Sequence, residues 1–237
     1  MSYNIHKAIG GVDRLYRLER IIDVIDAENP DLICLQEVDR NVRRSRFDDQ
    51  PKLLQRIFHP AEAIFQLNVH LKTGGYGNLV LSRWPIVTKH RLSLRFRQKK
   101  PRGAIDVVID TPEGKLHLVN WHLGLADKER HFQARHLLGH HLFKESADLP
   151  TIIIGDFNDW RNTLAVGPLR EHGFRPATSP PSRYRSFPAF APFGSLDKAY
   201  VRGMIDIRRA HVVRNSLSHR ASDHLPVVVD FHLNGFE

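Results

Sequence analysis

Residues 151–160 read Thr-Ile-Ile-Ile-Gly-Asp-Phe-Asn-Asp-Trp. Four consecutive β-branched side chains, preceded by Pro150 and followed by Gly-Asp, are too few for a helix and suit a buried strand. That strand exits into an acid, an aromatic ring, an amide and a second acid. Residues 31–38 have the same layout, an apolar run that opens after Asn29-Pro30 and closes in Gln36-Glu37. Two buried strands of this kind need cover from other elements, so the fold is layered.

Outward from these strands, Leu15, Leu18, Ile21, Ile22 and Ile25 recur at helical spacing, with Asp13 as the expected N-cap and Asn29-Pro30 as the stop. A second long helix is predicted over 128–146 and shorter ones over 52–58 and 164–171. A short first strand covers 2–5, beginning almost at residue 1. Further strands are predicted at 63–69, 77–82, 86–94, 103–110 and 115–121, separated by Gly74-Gly75, Trp84-Pro85 and Thr111-Pro112, and again at 196–201, 207–213 and 225–231. Five of the fourteen prolines fall between Pro176 and Pro192, which predicts a surface loop there. Without a linker or a repeat of solenoid length, residues 1–237 are expected to form one domain. The class is α/β, with antiparallel-rich layers and helices packed outside.

At 237 residues the chain can bury one sizeable core. Hydrophobic residues at 41% and charged residues at 26% exclude disorder and collagen. The longest apolar runs, 151–154 and 226–229, fall far short of the roughly 18 residues of a transmembrane helix. Residues 1–6 lack the layout of a secretory signal, so a cytoplasmic location is expected. Cys34, the single cysteine, lies inside an apolar run and is expected to be a small core residue. The formal charge of +9 points to an anionic partner: nucleic acid, lipid head groups or phosphorylated small molecules.

Strands ending abruptly in polar groups recur at Asn4-Ile5-His6, Gln36-Glu37, Asn120-Trp121-His122 and Asp156-Phe157-Asn158, and Ser222-Asp223-His224 precedes a strand. Any one of these is an ordinary turn. Together they supply acids, amides and imidazoles, the inventory of metal-assisted phosphoester hydrolysis. Mg²⁺ takes oxygen ligands, keeps several waters and needs only one or two carboxylates, so Glu37 suffices as its main anchor. Zinc is disfavoured by the lack of a Cys cluster and of His-Glu-x-x-His, although His136, His140 and His141 are expected on one helix face. The absence of Gly-x-Ser-x-Gly sets aside a serine nucleophile.

Ser-Tyr-Asn4-Ile-His, Leu-Gln-Glu37-Val-Asp, Gly-Asn78 before Leu-Val-Leu-Ser-Arg, Asn-Trp-His122-Leu, Gly-Asp156-Phe-Asn158, Leu-Asp197-Lys-Ala-Tyr and Ser-Asp223-His224-Leu-Pro stand in this order between residues 2 and 226. The set resembles the endonuclease/exonuclease/phosphatase superfamily, in particular its small bacterial metal-dependent hydrolases. The resemblance implies a four-layer α/β sandwich, two mainly antiparallel β-sheets face to face with helices outside and a site at one end of the sheets. It implies Glu37 as the principal Mg²⁺ or Mn²⁺ ligand, with Asn4 beside it and Asp223 completing the metal side. Asp156 and Asn158 would orient or activate the attacking water. His122 and His224 would contact the scissile phosphate as protonated rings, and Asp197 would hydrogen-bond His224 and keep it cationic. Arg102, Asn78 and His6 are placed at the substrate. The implied chemistry is direct attack of water on phosphorus with no covalent intermediate.

Two departures matter. His6 stands where the abasic-site nuclease branch has an acid, and Lys198 stands where many relatives have tyrosine, histidine or arginine. The short Pro-rich segment leaves neither an abasic-site wedge nor a lipid-inserting hairpin to be expected. Three functions follow. The first is a nuclease, motivated by the charge and by Arg40, Arg43, Arg44 and Arg46. The second keeps the chemistry on a phospholipid head group, phosphoinositide or other small phosphoester, with Tyr184, Phe187, Phe190 and Phe193 touching a membrane surface or a base. The third is a non-catalytic binding protein on the same scaffold.

Overall fold

The computed structural model describes residues 1–233. Strand β1 (Ser2–Asn4) leads to helix α1 (Leu18–Glu28), strand β2 (Leu32–Arg40) and helix α2 (Gln50–Phe58). Five strands follow: β3 (Glu62–His70), β4 (Gly75–Ser82), β5 (Ile86–Ser93), β6 (Gly103–Thr111) and β7 (Gly114–His122). Helix α3 (Asp127–Gly139) and the single turn α4 (His141–Lys144) precede β8 (Thr151–Asp156). The remainder comprises the turns α5 (Thr163–Val166) and α6 (Pro168–Glu171), strands β9 (Arg175–Pro176), β10 (Asp197–Arg202) and β11 (Ile205–Val212), turn α7 (Ser218–Ala221) and strand β12 (Val227–Leu233).

The strands form two six-stranded sheets, ordered β11-β12-β1-β2-β4-β3 and β5-β6-β7-β8-β10-β9. Only β1–β2 and β7–β8 pair in parallel among the described strands. Strand periodicity divides the core into three apolar layers. Leu32 and Cys34 of β2 face the gap between the sheets, where they meet Val80, Ile105, Leu118, Ile152 and Ile154. Ile33 and Leu35 face outward beneath Ile21 and Ile25 of α1 and Leu54 of α2. On the second sheet, Val119, Trp121 and Ile153 lie under Ala134, Leu137 and Leu138 of α3. Helix, sheet, sheet and helix thus give the four-layer α/β sandwich. Burial on both faces is why β2 and β8 read as unbroken apolar runs. Cys34 is buried in this core, and burial pushes its thiol up to about 12.

Two local expectations are overturned. Helix α1 begins at Leu18, and Asp13 is not its cap. The Asp13 carboxylate instead accepts from the Leu15 N–H at 3.1 Å and from Arg20 at 2.6 Å, closing a turn before the helix. The predicted 128–146 helix breaks after Gly139, where His140 turns extended (ψ 138°) and its Nδ1 accepts from the Leu142 N–H to start α4. His136, His140 and His141 therefore share no helix face. The Pro-rich segment is the expected surface loop, mostly exposed, and it folds back on itself where Phe187 is bridged to Gly194. Its Ala189 N–H donates to Asp223 O at 2.7 Å, and its Ser186 O accepts from the Leu225 N–H at 2.8 Å. Those backbone partners, rather than solvent, dictate its path.

Candidate active site

Strand register alone lines up four site residues. His122 ends β7 directly beside Asp156, which ends β8, and Asp197, which opens β10, lies on the other side of Asp156. In the facing sheet, Asn4 at the end of β1 pairs with Gln36 of β2. Gly155 carries φ 146°, and a Cβ there would lie 2.1 Å from the Trp121 carbonyl oxygen, so only glycine lets β8 approach β7 this closely before Asp156.

Glu37 owes its place to a bulge. The β2–β4 register shifts between Leu35 and Val38, and Glu37 adopts the left-handed φ of 57°. Ile33, Leu35 and Val38 thus face the same side, and one extra residue turns the Glu37 side chain out of the ladder. Asn158 is also left-handed, at φ 50°. Such backbone is costly for a residue with a side chain and clusters where geometry is fixed for function.

The imidazole side of the site is a chain of short contacts. His224 Nδ1 lies 2.8 Å from Asp197 Oδ2, which also accepts from the Ser186 hydroxyl at 2.5 Å. Burial opposes a charge on His224, but the Asp197 and Asp156 carboxylates overcome it and push the ring up to about 10, so it is cationic at neutral pH. Its Nε2 is 3.9 Å from Asp156 Oδ2. His122 is the opposite case. Burial, reinforced by the Arg102 guanidinium, pushes it well below the usual histidine range. Arg102 Nη1 lies 3.2 Å from His122 Nδ1 and can only donate, so Nδ1 is the acceptor and the proton sits on Nε2, 3.3 Å from Asp156 Oδ2. The expectation of two protonated rings is corrected: His122 is a neutral donor, because burial disfavours its charge and the Arg102 guanidinium behind it adds to this.

Asp156 Oδ2 accepts from Asn4 Nδ2 at 3.0 Å, and Oδ1 accepts from the Asn158 N–H at 3.0 Å. Burial pushes its carboxyl up, Asp197 adds to this, and His224 and Asn4 oppose. Asn158 Nδ2 donates to Leu123 O at 3.0 Å. Across the site, Glu37 takes a hydrogen bond from the Lys7 ammonium. Burial alone would raise its carboxyl, but the Lys7 ammonium beside it holds it far below the usual carboxylate range. His6 Nδ1 lies 3.7 Å from Asp223 Oδ1 and 2.9 Å from Ile9 O. Asn78 is fully enclosed, donating to Gly103 O at 2.9 Å with its Oδ1 unpartnered among the described residues.

The structure thus links Asn4, Arg102, His122, Asp156, Asn158, Asp197 and His224 through direct contacts. Glu37 with Lys7, and Asp223 with His6, border that chain. Arg102 is buried behind His122 rather than solvated. Sequence reasoning missed Lys7, Ser186 and Ser222, whose hydroxyl donates to Asn4 O at 2.8 Å and accepts from the His224 N–H at 3.3 Å. It also missed Trp160, whose indole lies against Gly194. Lys7 and Ser222 adjoin residues that were singled out; Ser186 and Trp160 carry no local signal beyond exposure or burial.

Asp156, Asp197 and His224 offer ligand atoms that all lie within 4.8 Å of one another, a group able to hold a divalent metal ion. A four-layer sandwich that ends both sheets in carboxylates, amides and imidazoles is the construction of a metal-binding hydrolase, and its donor set is consistent with phosphoester hydrolysis. The chain belongs to the Endonuclease/Exonuclease/phosphatase family, whose sequence model matches residues 1–224. It is 30% identical over 253 residues to the uncharacterized protein YbhP of Escherichia coli K12, covering 98% of this chain and 95% of that one. Among solved structures, an endonuclease/exonuclease/phosphatase from Beutenbergia cavernae superposes with a TM-score of 0.79 at 24% identity, covering 99% of this chain and 71% of the other. The catalytic domain of human Nocturnin with bound sulfate gives 0.75 at 23%, covering 98% and 93%. At these identities the two structures speak to the fold. No helix among the described residues is long and apolar enough to cross a membrane.

Proposed function

We propose that the protein is a Mg²⁺- or Mn²⁺-dependent phosphodiesterase acting on nucleic acid, with residues 1–237 as one catalytic unit. The observation that carries this reading is the meeting of a cationic His224 and a neutral, donating His122 at Asp156, opposite an ionised Glu37. The residues fit a hard cation. Glu37 is turned out of its strand by the bulge and already attracts a cationic group, and the family resemblance would add the oxygens of Asn4 and Asp223 beside it. The Asp156–Asp197–His224 group is the weaker holder, because a protonated imidazole has no lone pair to give a metal. A divalent ion on Glu37 would supply Lewis-acid polarisation of the phosphate oxygen and lower the pKa of a water.

The chain's own groups divide the remaining work. Asp156, its basicity raised by burial, accepts the proton of the attacking water and is aimed by Asn4 and by the Asn158 N–H. His224 and His122 present Nε2 donors to the phosphate oxygens, where negative charge grows in the transition state. Asp197 and Ser186 hold His224 in register; Arg102 fixes the His122 tautomer. Asn78 and His6 shape the substrate side.

Nucleic acid is favoured by the basic rim. Lys100 and Arg44 lie 5.3 and 5.0 Å from the Tyr76 ring centroid, Arg44 also donating to Asp39, and Arg40 lies 5.2 Å from that of Phe65. Backbone phosphates would supply most of the affinity there. A lipid or small phosphoester is the second reading, supported by the 187–194 hairpin: Phe190 and Phe193 are 64% and 65% exposed, and Trp160, 6.0 Å from Phe187, continues the aromatic surface to His224. Parallel assays with Mg²⁺ on single-stranded DNA, duplex DNA, RNA, phosphoinositide vesicles and sphingomyelin vesicles test the choice. Cleavage of nucleic acid is expected, falling about tenfold or more at subsaturating substrate between roughly 50 and 200 mM salt. Activity confined to vesicles, or polymer cleavage indifferent to salt, would overturn it; binding without cleavage of any substrate would favour a non-catalytic scaffold.

A further inference from the structure

Among the described site carboxylates, Asp156, Asp197 and Asp223 are met by amides, hydroxyls and imidazoles, whereas Glu37 is met by the ammonium of Lys7. This lysine is held with unusual care. It lies in a run of three left-handed residues, His6, Lys7 and Ala8, with φ of 45°, 63° and 61°. None is glycine, so each adopts a conformation that side chains disfavour. The run is pinned from both sides. Gln50 of α2, fully buried, donates to Lys7 O at 2.9 Å and accepts the Asp39 N–H at 2.7 Å. The Ala8 N–H donates to Ile5 O at 2.7 Å, and Ala8 O accepts from Arg17 at 2.8 Å. The only side chain so delivered to Glu37 among the described residues is a cation.

We propose that Lys7 is a built-in competitor for the divalent metal: the two cations share the Glu37 carboxylate, the metal binds by displacing the ammonium, and Lys7 thereby holds metal affinity low while keeping the metal-free site paired. The proposal rests on Glu37 being a metal ligand. A dication and an ammonium on one carboxylate repel each other, and the dication gives up the less of its attraction to Glu37 if the lysine leaves. The lysine can leave because its stem is flexible. Its Nζ already lies 5.4 Å from the Tyr76 ring, a face that can receive it. Arg44 and Lys100 crowd the same ring at 5.0 and 5.3 Å, which resists the move and weakens metal binding further.

The test compares Mn²⁺ affinity by calorimetry in wild type, Lys7→Met, Lys7→Arg and Glu37→Gln, together with melting temperatures in EDTA and in saturating Mn²⁺. Lys7→Met is expected to bind Mn²⁺ about tenfold or more tighter than wild type, while Lys7→Arg, which keeps the charge, stays within about threefold. In EDTA, Lys7→Met should melt below wild type, because Glu37 loses its partner, and saturating Mn²⁺ should close that gap. Should Lys7→Met not fold without metal, Lys7→Gln supplies a polar replacement for the same titration. Unchanged or weaker Mn²⁺ binding by the neutral variants, with Glu37→Gln binding poorly, overturns the role of Lys7 alone. Wild-type Mn²⁺ binding by Glu37→Gln removes the metal from Glu37 and takes down the assignment on which the role depends.

Discussion

Glu37→Gln is expected to lower Mg²⁺-dependent turnover by about 10²- to 10³-fold and to raise the Mg²⁺ concentration needed for half-maximal activity. The substitution keeps the shape and removes one charge, so the bulge and the three apolar layers stay in place. Glu37 is the ionised carboxylate of the first sheet's contribution to the site: its carboxyl is held far below the ordinary range, so it offers full charge to a cation at any working pH. The checks are a metal titration of activity and a circular dichroism spectrum matching wild type. Turnover within a few-fold of wild type would remove Glu37 from the metal.

His224→Gln is expected to cost a comparable 10²- to 10³-fold, estimated as the loss of about one transition-state donor, while Mn²⁺ affinity stays within about threefold. The split between activity and metal binding separates the imidazole from the carboxylate side. This variant also carries a pH signature. The folded-state value of His224 is raised from 6.5 to about 10, so the protein binds a proton on folding between those limits. Its contribution to stability is complete below about pH 6.5 and is lost progressively as pH rises through 10. In EDTA, wild type should therefore lose stability from pH 7 to 10 more steeply than His224→Gln, as followed by urea denaturation. Parallel slopes would mean that His224 is not held cationic by Asp197.

The expected fold was legible because its strands are buried on both faces. Continuous apolar runs such as 151–154 have no other comfortable home, and their abrupt polar ends mark where the sheets stop. The site residues were legible for the same reason: His122, Asp156 and Asp197 are the first polar positions beyond the core on three neighbouring strands. What sequence periodicity did not carry were departures from ideal backbone. The bulge that redirects Glu37 adds one residue to an otherwise ordinary strand, and the left-handed run at His6–Ala8 involves no glycine to announce it.

Other errors came from partners that local pattern does not rank. Asp13 has the right chemistry for a cap, yet Leu15 and Arg20 compete for it. The Pro-rich segment is the surface loop the sequence suggests, but its path is tied by Asp223 and Leu225, whose part in it no local pattern announces. The charge of His122 was misjudged because a histidine next to carboxylates suggests a cation, whereas cross-strand pairing of Gly103 with His122 brings Arg102 in behind it. Burial is the larger cause, and the guanidinium adds to it.

The most direct measurement is a crystal structure of the protein with Mn²⁺ and inorganic phosphate, the ion located by its anomalous scattering. The account predicts Mn²⁺ on the Glu37 carboxylate and a phosphate oxygen within hydrogen-bond distance of both His122 Nε2 and His224 Nε2. Mn²⁺ seated among Asp156, Asp197 and His224, with Glu37 still bound to Lys7 alone, would contradict it.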